Sequence, residues 1–204
     1  MHECRRTRDT AGQPDPVRSL PLDRALRAWL LSDGSLSRQL AQTFGCFRVQ
    51  LLNQGTAPAT AEELHVLRQH GTGSSRWPRC HVREVVLWGD GQPLVHARSV
   101  LPAVQAKLTW RAVRGLGQRP LADLLFGLRA AHCDRLGGRY ASPLQARRLG
   151  SRLGWSAHPL WCRRSVFTRR GVPLLVTEWF APAVRDRAPG TSTARGRPRH
   201  AGRR

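Results

Sequence analysis

The 204-residue sequence lacks the features that mark several large classes of protein. It has no uninterrupted apolar run long enough for a membrane-spanning helix, and its first twenty residues contain no apolar segment typical of a secretion signal. Its five cysteines show no C-x-x-C spacing, and their odd number argues against a complete disulfide framework. We therefore expect a soluble, cytoplasmic protein with free thiols, no membrane span and no bound metal.

Acidic residues are scarce as well, with 13 against 34 basic ones and a formal charge of +21. Lys107 is the only lysine among the basic residues, which is the composition that a GC-rich genome produces without any ligand being involved. A basic surface attracts polyanions by releasing counterions, so an arginine-rich nucleic-acid binder stays open as an alternative function. We do not expect a specific nucleic-acid partner.

The composition changes twice along the chain. Residues 1–19 are polar and contain proline, and residues 184–204 carry +6 among Gly, Pro, Ser, Thr and Ala. Both segments are typical of disorder. We therefore predict a disordered leader at 1–19, one domain at 20–183 and a disordered Arg-rich tail at 184–204, in a protein that is a monomer.

Hydrophobic periodicity separates helices from strands within the domain. It predicts helices at residues 22–31, 36–44, 104–116 and 121–126, with a helical turn at 61–67. β-branched alternation predicts strands at 46–51, 80–88, 93–101, 160–168 and 172–180, the last four forming two hairpins closed by tight glycine-containing turns. Residues 127–160 are expected to hold one strand and a loop. The pattern indicates an α+β fold with a mainly antiparallel sheet.

Two charged residues stand inside the apolar strands. Arg83 cannot be neutralised at accessible pH, so its burial requires a partner, either a ligand carboxylate or a protein acid such as Glu84 or Glu178. Glu178 lies in the most apolar run of the chain, where it either faces outward or serves as a functional acid. If Glu178 faces a cavity, desolvation is expected to raise its pKa. Together they suggest a site for a small anion.

Other polar residues are weaker candidates. We expect Arg98, beside Ser99, to occupy an exposed edge position, although it would add positive charge if it shared the sheet face of Arg83. The run at residues 163–165 (RRS) is interpreted as a solvated strand end. The histidines show no spacing that predicts a catalytic triad, and no glycine-rich phosphate loop follows a strand.

Five collinear motifs resemble those of the chorismate pyruvate-lyase family, and the resemblance covers roughly residues 22 to 182. These motifs are WLLSDGSL (29–36), HVREVVL (81–87), ARSVLP (97–102), LGQRPLADLLF (116–126), and WCRRS (161–165) with PLLVTEWFAP (173–182). Each motif alone is weak, but their shared order is specific. The resemblance implies about six strands, with helices that cover an enclosed ligand cavity.

The resemblance also implies an activity: conversion of chorismate to 4-hydroxybenzoate and pyruvate, the first step of ubiquinone biosynthesis, without a cofactor. The family's ligand contacts carry over to Arg83 for the ring carboxylate, the backbone amide of Leu121 for the same group, and Glu178 for the ring hydroxyl. Leu36 would stand in a flap over the substrate, at a position where family members have methionine. Arg83 and Glu178 are thus the predicted catalytic residues.

A non-catalytic alternative remains open. A similar fold serves as the small-molecule sensor of some transcription regulators, where it usually accompanies a helix-turn-helix module. The predicted domain leaves no room for that module in this chain. The fold alone does not decide between the two functions.

Overall fold

The computed structural model describes residues 5–6, 22–71, 79–127, 132–155 and 160–191. The helices are α1 (Arg24–Leu31), α2 (Leu36–Thr43), α3 (Ala61–His70), α4 (Arg111–Arg114), α5 (Leu121–Gly127) and α6 (Pro143–Leu153), followed by a 3-10 helix at Pro182–Asp186. The strands are β1 (Arg5–Arg6), β2 (Arg48–Ala57), β3 (Cys80–Gly89), β4 (Gln92–Pro102), β5 (His132–Tyr140), β6 (Trp161–Arg169) and β7 (Val172–Phe180). None of the described helices has the length and apolar character that crossing a bilayer requires.

The strands form a single open sheet in the order β1-β5-β6-β7-β4-β3-β2. Every neighbouring pair from β5 to β2 is antiparallel, and only the two-residue β1 pairs in parallel, with β5. Positive φ angles at Asp90 and Gly91, and at Arg170 and Gly171, close the two predicted hairpins, as tight primed turns require. The α+β prediction with about six antiparallel strands is confirmed.

Helices cover both faces of this sheet. The first face, which carries Arg83 and Glu178, packs against α1, α2 and α5. The second face, which carries Glu84 and Trp179, packs against α3 and α6. Consecutive residues of a strand alternate between the two faces. Because helices cover both faces, every residue along a stretch of strand can be buried. In β6, all seven residues from 161 to 167 are buried.

The predicted N-terminal helical hairpin is present, and each of its two helices begins with a side-chain cap. The Asp23 carboxylate accepts a hydrogen bond from the Leu26 amide at 2.7 Å, and the Ser35 hydroxyl accepts one from the Arg38 amide at 3.2 Å. Trp29 is fully buried in the cluster that joins this hairpin to the first face. The hairpin is therefore fixed to the sheet by its apolar side.

Two predictions for the middle of the chain are wrong. The helix expected at 104–116 is a series of turns with i to i+3 hydrogen bonds, and only the four residues of α4 are α-helical. Val104 and Leu108, both within the predicted helix, are exposed. The region 127–160 contains β5 but also α6, which was missed although Ser142 and Gln145 form a capping box at its start.

The domain also extends past its predicted boundary at residue 183. The Trp29 indole donates hydrogen bonds to the carbonyls of Val184 at 3.1 Å and Arg187 at 2.7 Å, and the Gly190 amide donates to the Thr43 hydroxyl. Residues 184–191 are thus packed onto the helical hairpin, which corrects the tail prediction for them. Residues 192–204, and all of the predicted leader except β1, lie outside the described residues.

The cysteines differ from one another in environment. Cys46 is exposed and free, whereas Cys80 and Cys162 are buried and free. Burial raises the pKa of Cys80 and of Cys162 to about 11, which keeps both thiols protonated at neutral pH. Cys133 is disulfide-bonded, so the expectation of free thiols does not hold there.

We expect Trp29→Phe to lower the free energy of unfolding by about 1 to 3 kcal/mol, because two part-buried carbonyls lose their donor. Urea denaturation measures the change. Trp88→Phe is the matched control, since that indole donates to the Gln50 side chain at a half-buried strand end. Equal stability of the two variants would contradict the role assigned to Trp29.

Candidate active site

A pocket on the first face of the sheet brings all four predicted site residues together. Arg83, Glu178, Leu36 and Leu121 line it, and it holds about 650 Å³ of space free of atoms, including space open to solvent. The sheet supplies the floor, and the segments around Leu36 and Leu121 supply the cover. The structure thus places these residues in one pocket, while their roles remain predictions.

Arg83 is 1% exposed and points into this pocket from the centre of β3. Its Nη2 donates to the carbonyl oxygens of Gly117 at 3.0 Å and Arg119 at 2.8 Å, and its Nε has no partner. Among the described residues no acid lies within ion-pair distance, so pairing with Glu84 or Glu178 is not what holds it. Burial lowers the pKa of Arg83 to about 10, still well above neutral pH.

Glu178 faces the same pocket and is held by a second buried arginine. Arg163 Nε donates to Glu178 Oε2 at 2.5 Å, and the two residues lie opposite each other in the pairing of β6 with β7. Arg163 Nη1 also donates to the hydroxyl and carbonyl oxygens of Ser32, at 2.9 Å and 3.1 Å. The inward-facing alternative for Glu178 is the correct one, and its carboxylate is fixed in position.

The sequence interpretation missed Arg163. The prediction of a solvated strand end for the RRS run is wrong, because Arg163 is 2% exposed and Ser165 is 4% exposed, and both line the pocket. Arg164 points to the second face, where it donates to Glu62 at 2.8 Å. A signal for this burial was present in the sequence. A strand covered on both faces has few breaks in its apolar sequence, and WCRRSVF has apolar residues on both sides of the arginines.

Arg98 does not join the pocket, and it is not on an edge strand either. It lies in β4, between β3 and β7, and points to the second face, where it forms ion pairs with Glu63 at 2.8 Å and Glu84 at 3.0 Å. Burial lowers its pKa, but the hydrogen bonds and charges of the two acids outweigh this effect and raise it. Ser99, its neighbour, pairs with Arg83 in the sheet and lines the pocket.

The cover of the pocket consists of two short segments. Leu36, 3% exposed, begins α2, and Leu121 begins α5, so the Leu121 amide has no acceptor within its own helix. A surface groove between α2 and α5 shares Gly34, Ala122 and Phe126 with the pocket. The pocket and the groove therefore adjoin at the seam between these two segments.

The pocket can bind a small anion that also carries a hydroxyl group. Arg83 offers an uncompensated positive charge, Glu178 offers a fixed acceptor, and the remaining walls are mostly apolar. The hydroxyls of Ser99 and Ser165 lie on the same face. Within the described part of the chain, no group of three His, Cys, Asp or Glu side chains has the arrangement of a metal site.

The sequence is similar to proteins of one known family. It matches the family model described as chorismate lyase over residues 7–189. A protein of Azoarcus sp. (strain BH72) named probable chorismate pyruvate-lyase is 37% identical over 168 residues, which cover 79% of this chain and 86% of that protein. A protein of the same name from Methylococcus capsulatus is 38% identical over 160 residues, which cover 78% of this chain and 96% of that protein.

The fold was also compared with solved structures. The C-terminal domain of the histidine utilization repressor from Pseudomonas syringae pv. tomato superposes with a TM-score of 0.51 at 15% identity, over 72% of this chain and 99% of that chain. PhnF from Mycobacterium smegmatis gives the same TM-score at 16% identity, over 75% of this chain and 66% of that chain. At such identities the likeness concerns the fold alone.

The pair formed by Arg163 and Glu178 can be tested through stability. We expect Arg163→Leu to cost about 3 kcal/mol or more, because it leaves a part-buried carboxylate unpaired, and Arg163→Leu with Glu178→Leu to recover much of that loss. Chemical denaturation of the four proteins of this cycle measures the coupling.

The matched control for this cycle is the exposed pair of Arg185 and Asp23, whose side chains are 40% and 41% accessible. The coupling energy of its alanine cycle should be below about 1 kcal/mol, because the loss of the Asp23 helix cap occurs in both the single and the double variant and cancels. If the effects of the two leucine substitutions simply add, the pair is not coupled and the assignment is wrong.

Proposed function

The chain belongs to the chorismate lyase family, and from that premise we propose that it converts chorismate to 4-hydroxybenzoate and pyruvate without a cofactor. We propose further that this product enters ubiquinone biosynthesis. The observation that carries the proposal is the guanidinium of Arg83, buried in the pocket and unpaired with any acid among the described residues. A carboxylate from outside the protein is the partner that this group lacks.

The proposed position of the substrate follows from the register of the sheet. Arg83 pairs with Ser99, Ser99 pairs with Val176, and Glu178 lies two residues further along β7. Strand spacing and residue rise then put the Cα atoms of Arg83 and Glu178 roughly 12 Å apart. Two inward-pointing side chains at that separation leave room for one ring, with its carboxylate at Arg83 and its hydroxyl at Glu178.

The remaining contacts come from the cover. The amide of Leu121 is proposed to donate to the ring carboxylate beside Arg83, because it belongs to the first residue of α5 and that residue lines the pocket. Leu36 contributes apolar surface above the ring. Leucine keeps the volume of the methionine found there in family members but not its flexibility.

The reaction itself requires little chemistry from the protein. The ether bond between the ring and the enolpyruvyl group breaks, the ring carbon next to it loses a proton, and the ring becomes aromatic. That proton ends on the methylene carbon of the departing group, which becomes pyruvate. Glu178 either accepts the ring proton first or orients the hydroxyl while the methylene takes the proton directly. In both routes the pocket acts mainly by orientation and by excluding water.

A purely ligand-binding role is the other candidate function. The likeness to the repressor domain and to PhnF supports the fold only, and nothing in the described pocket favours binding without turnover. Incubation of purified protein with chorismate, without added metal or nucleotide, separates the two roles by the appearance of 4-hydroxybenzoate absorbance. A cytoplasmic location, a monomeric state and the lack of a specific nucleic-acid partner remain expectations of the sequence.

Variants of the two charged residues test the assignment. We expect Glu178→Gln to lower kcat at least about tenfold, because the amide cannot hold the hydroxyl in the same way. Arg83→Lys should raise KM and the Kd of 4-hydroxybenzoate about tenfold, because lysine lacks the planar fork that matches a carboxylate. Steady-state kinetics and product-binding titrations measure both.

Glu62→Gln and Arg147→Lys are the matched controls for these variants. Both residues lie away from the pocket, and the Glu62 side chain is 48% accessible. The controls should retain wild-type kinetics. Wild-type kinetics in Glu178→Gln and Arg83→Lys themselves would eliminate the proposed roles.

Product release is expected to limit turnover, because 4-hydroxybenzoate must leave through the seam between α2 and α5. Stopped-flow absorbance should show a burst of product equal to the enzyme concentration, followed by a slower steady rate. Added 4-hydroxybenzoate should inhibit competitively. A linear trace from the first turnover onward would show that release is faster than chemistry.

A further inference from the structure

A second cavity lies on the second face of the sheet, between the strands, the start of α3 and the helix α6. It holds about 1030 Å³ of space free of atoms, including space open to solvent. Glu84, Arg98 and Trp179 reach it from the sheet, and Arg148 and Arg152 reach it from α6. The single layer of the sheet separates it from the pocket of Arg83.

Two buried polar side chains in this cavity lack partners. His96 is 3% exposed, and neither of its ring nitrogens has a hydrogen-bond partner. Trp179 is 5% exposed, and its indole nitrogen likewise has none. Their rings lie 5.4 Å apart, centroid to centroid. Buried polar groups are nearly always hydrogen-bonded, so this unmet capacity indicates a ligand or bound water.

The protonation state of His96 defines what it can bind. Burial lowers the pKa of His96 to about 4, with Arg152 and Arg98 acting in the same direction and Glu84 opposing them. The ring is therefore neutral at pH 7 and offers one donor and one acceptor. A group that both accepts and donates, such as a hydroxyl or an amide, satisfies it.

The acids of the cavity are already engaged. Arg98 donates to Glu63 at 2.8 Å and to Glu84 at 3.0 Å. Arg152 lies 3.7 Å from the same Glu84 and is about half exposed, and the described residues include no acid paired with Arg148. The two arginines of α6 therefore leave positive charge available at the mouth of the cavity.

We propose that this second cavity binds a small organic acid that also carries a hydroxyl or amide group. The carboxylate would pair with Arg148 and Arg152, and the hydroxyl or amide would meet His96 and the Trp179 indole. Leu149 and Pro58 supply apolar walls for the body of the ligand. The inference does not rest on the proposed lyase activity, because no residue of the cavity lines the other pocket.

Ligand-observed NMR titrations test the site with three probes: 4-hydroxybenzoate, 4-hydroxyphenylacetate and mandelate. In the wild-type protein we expect, besides any binding in the pocket of Arg83, a second binding event at millimolar concentrations or below. Arg148→Ala with Arg152→Ala should weaken it about tenfold or more, since a charge-assisted pair is lost. Trp179→Phe should weaken it as well, while benzoate, which has no hydroxyl, should bind less well than 4-hydroxybenzoate.

Arg111→Ala with Arg147→Ala is the control of equal charge, because both arginines are exposed and lie outside the cavity. It should bind the probes like the wild-type protein. The proposal is overturned if no probe shows binding that depends on Arg148 and Arg152, which would leave the cavity to water.

Chorismate turnover in the same preparations separates this inference from the proposed function. Arg148→Ala with Arg152→Ala should turn over chorismate at the wild-type rate. If the probes bind through these two arginines but the protein does not turn over chorismate, the proposed lyase activity is wrong and the second site still stands. If the protein turns over chorismate normally but the probes do not bind through these arginines, the second site is wrong and the proposed lyase activity still stands.

Discussion

A guanidinium buried without an acid is the constraint around which the rest of the pocket is arranged. Arg83 keeps its charge at 1% exposure, with two backbone carbonyls as its hydrogen-bond partners. Carbonyl dipoles offset only part of the lost hydration. Burial lowers the pKa of Arg83, because the loss of water disfavours the charged guanidinium. The unliganded protein therefore holds an unbalanced charge that a carboxylate would balance, so the same feature that costs stability favours binding.

The second arginine of the pocket, Arg163, differs from Arg83 because an acid neutralises its charge. Arg163 is matched by Glu178, so the charged residues lining the pocket, two arginines and one glutamate, leave a single positive charge. That balance fits one carboxylate. Chorismate carries two and 4-hydroxybenzoate one, so under the proposed function the product matches the charge of the pocket better than the substrate does. Loss of the second carboxylate with pyruvate would then leave a product that is held firmly, which agrees with release as the slow step.

Sequence reasoning found Arg83 and Glu178 because a charge inside an apolar strand is conspicuous. It failed for Arg163 because the RRS run was interpreted as a solvated strand end, whereas helices cover both faces of β6 and bury its residues. It missed α6 because three arginines and a glycine interrupt the apolar positions of that eleven-residue helix. The boundary at residue 183 failed for a tertiary reason: residues distant in sequence, among them the buried Trp29, fix residues 184–191.

The two cavities share one layer of strands, and this geometry links them. Arg83 precedes Glu84, and Glu178 precedes Trp179, so residues consecutive in the chain face opposite cavities. A backbone shift that moves one side chain must move its neighbour, because packed cores on both faces leave the strands little freedom to twist separately. Substitutions of strand residues on the second face are therefore not neutral controls for the first, unlike substitutions on the covering helices α3 and α6, and a difference in chorismate kinetics between Glu84 and Glu62 variants would reflect this shared wall rather than contact with substrate.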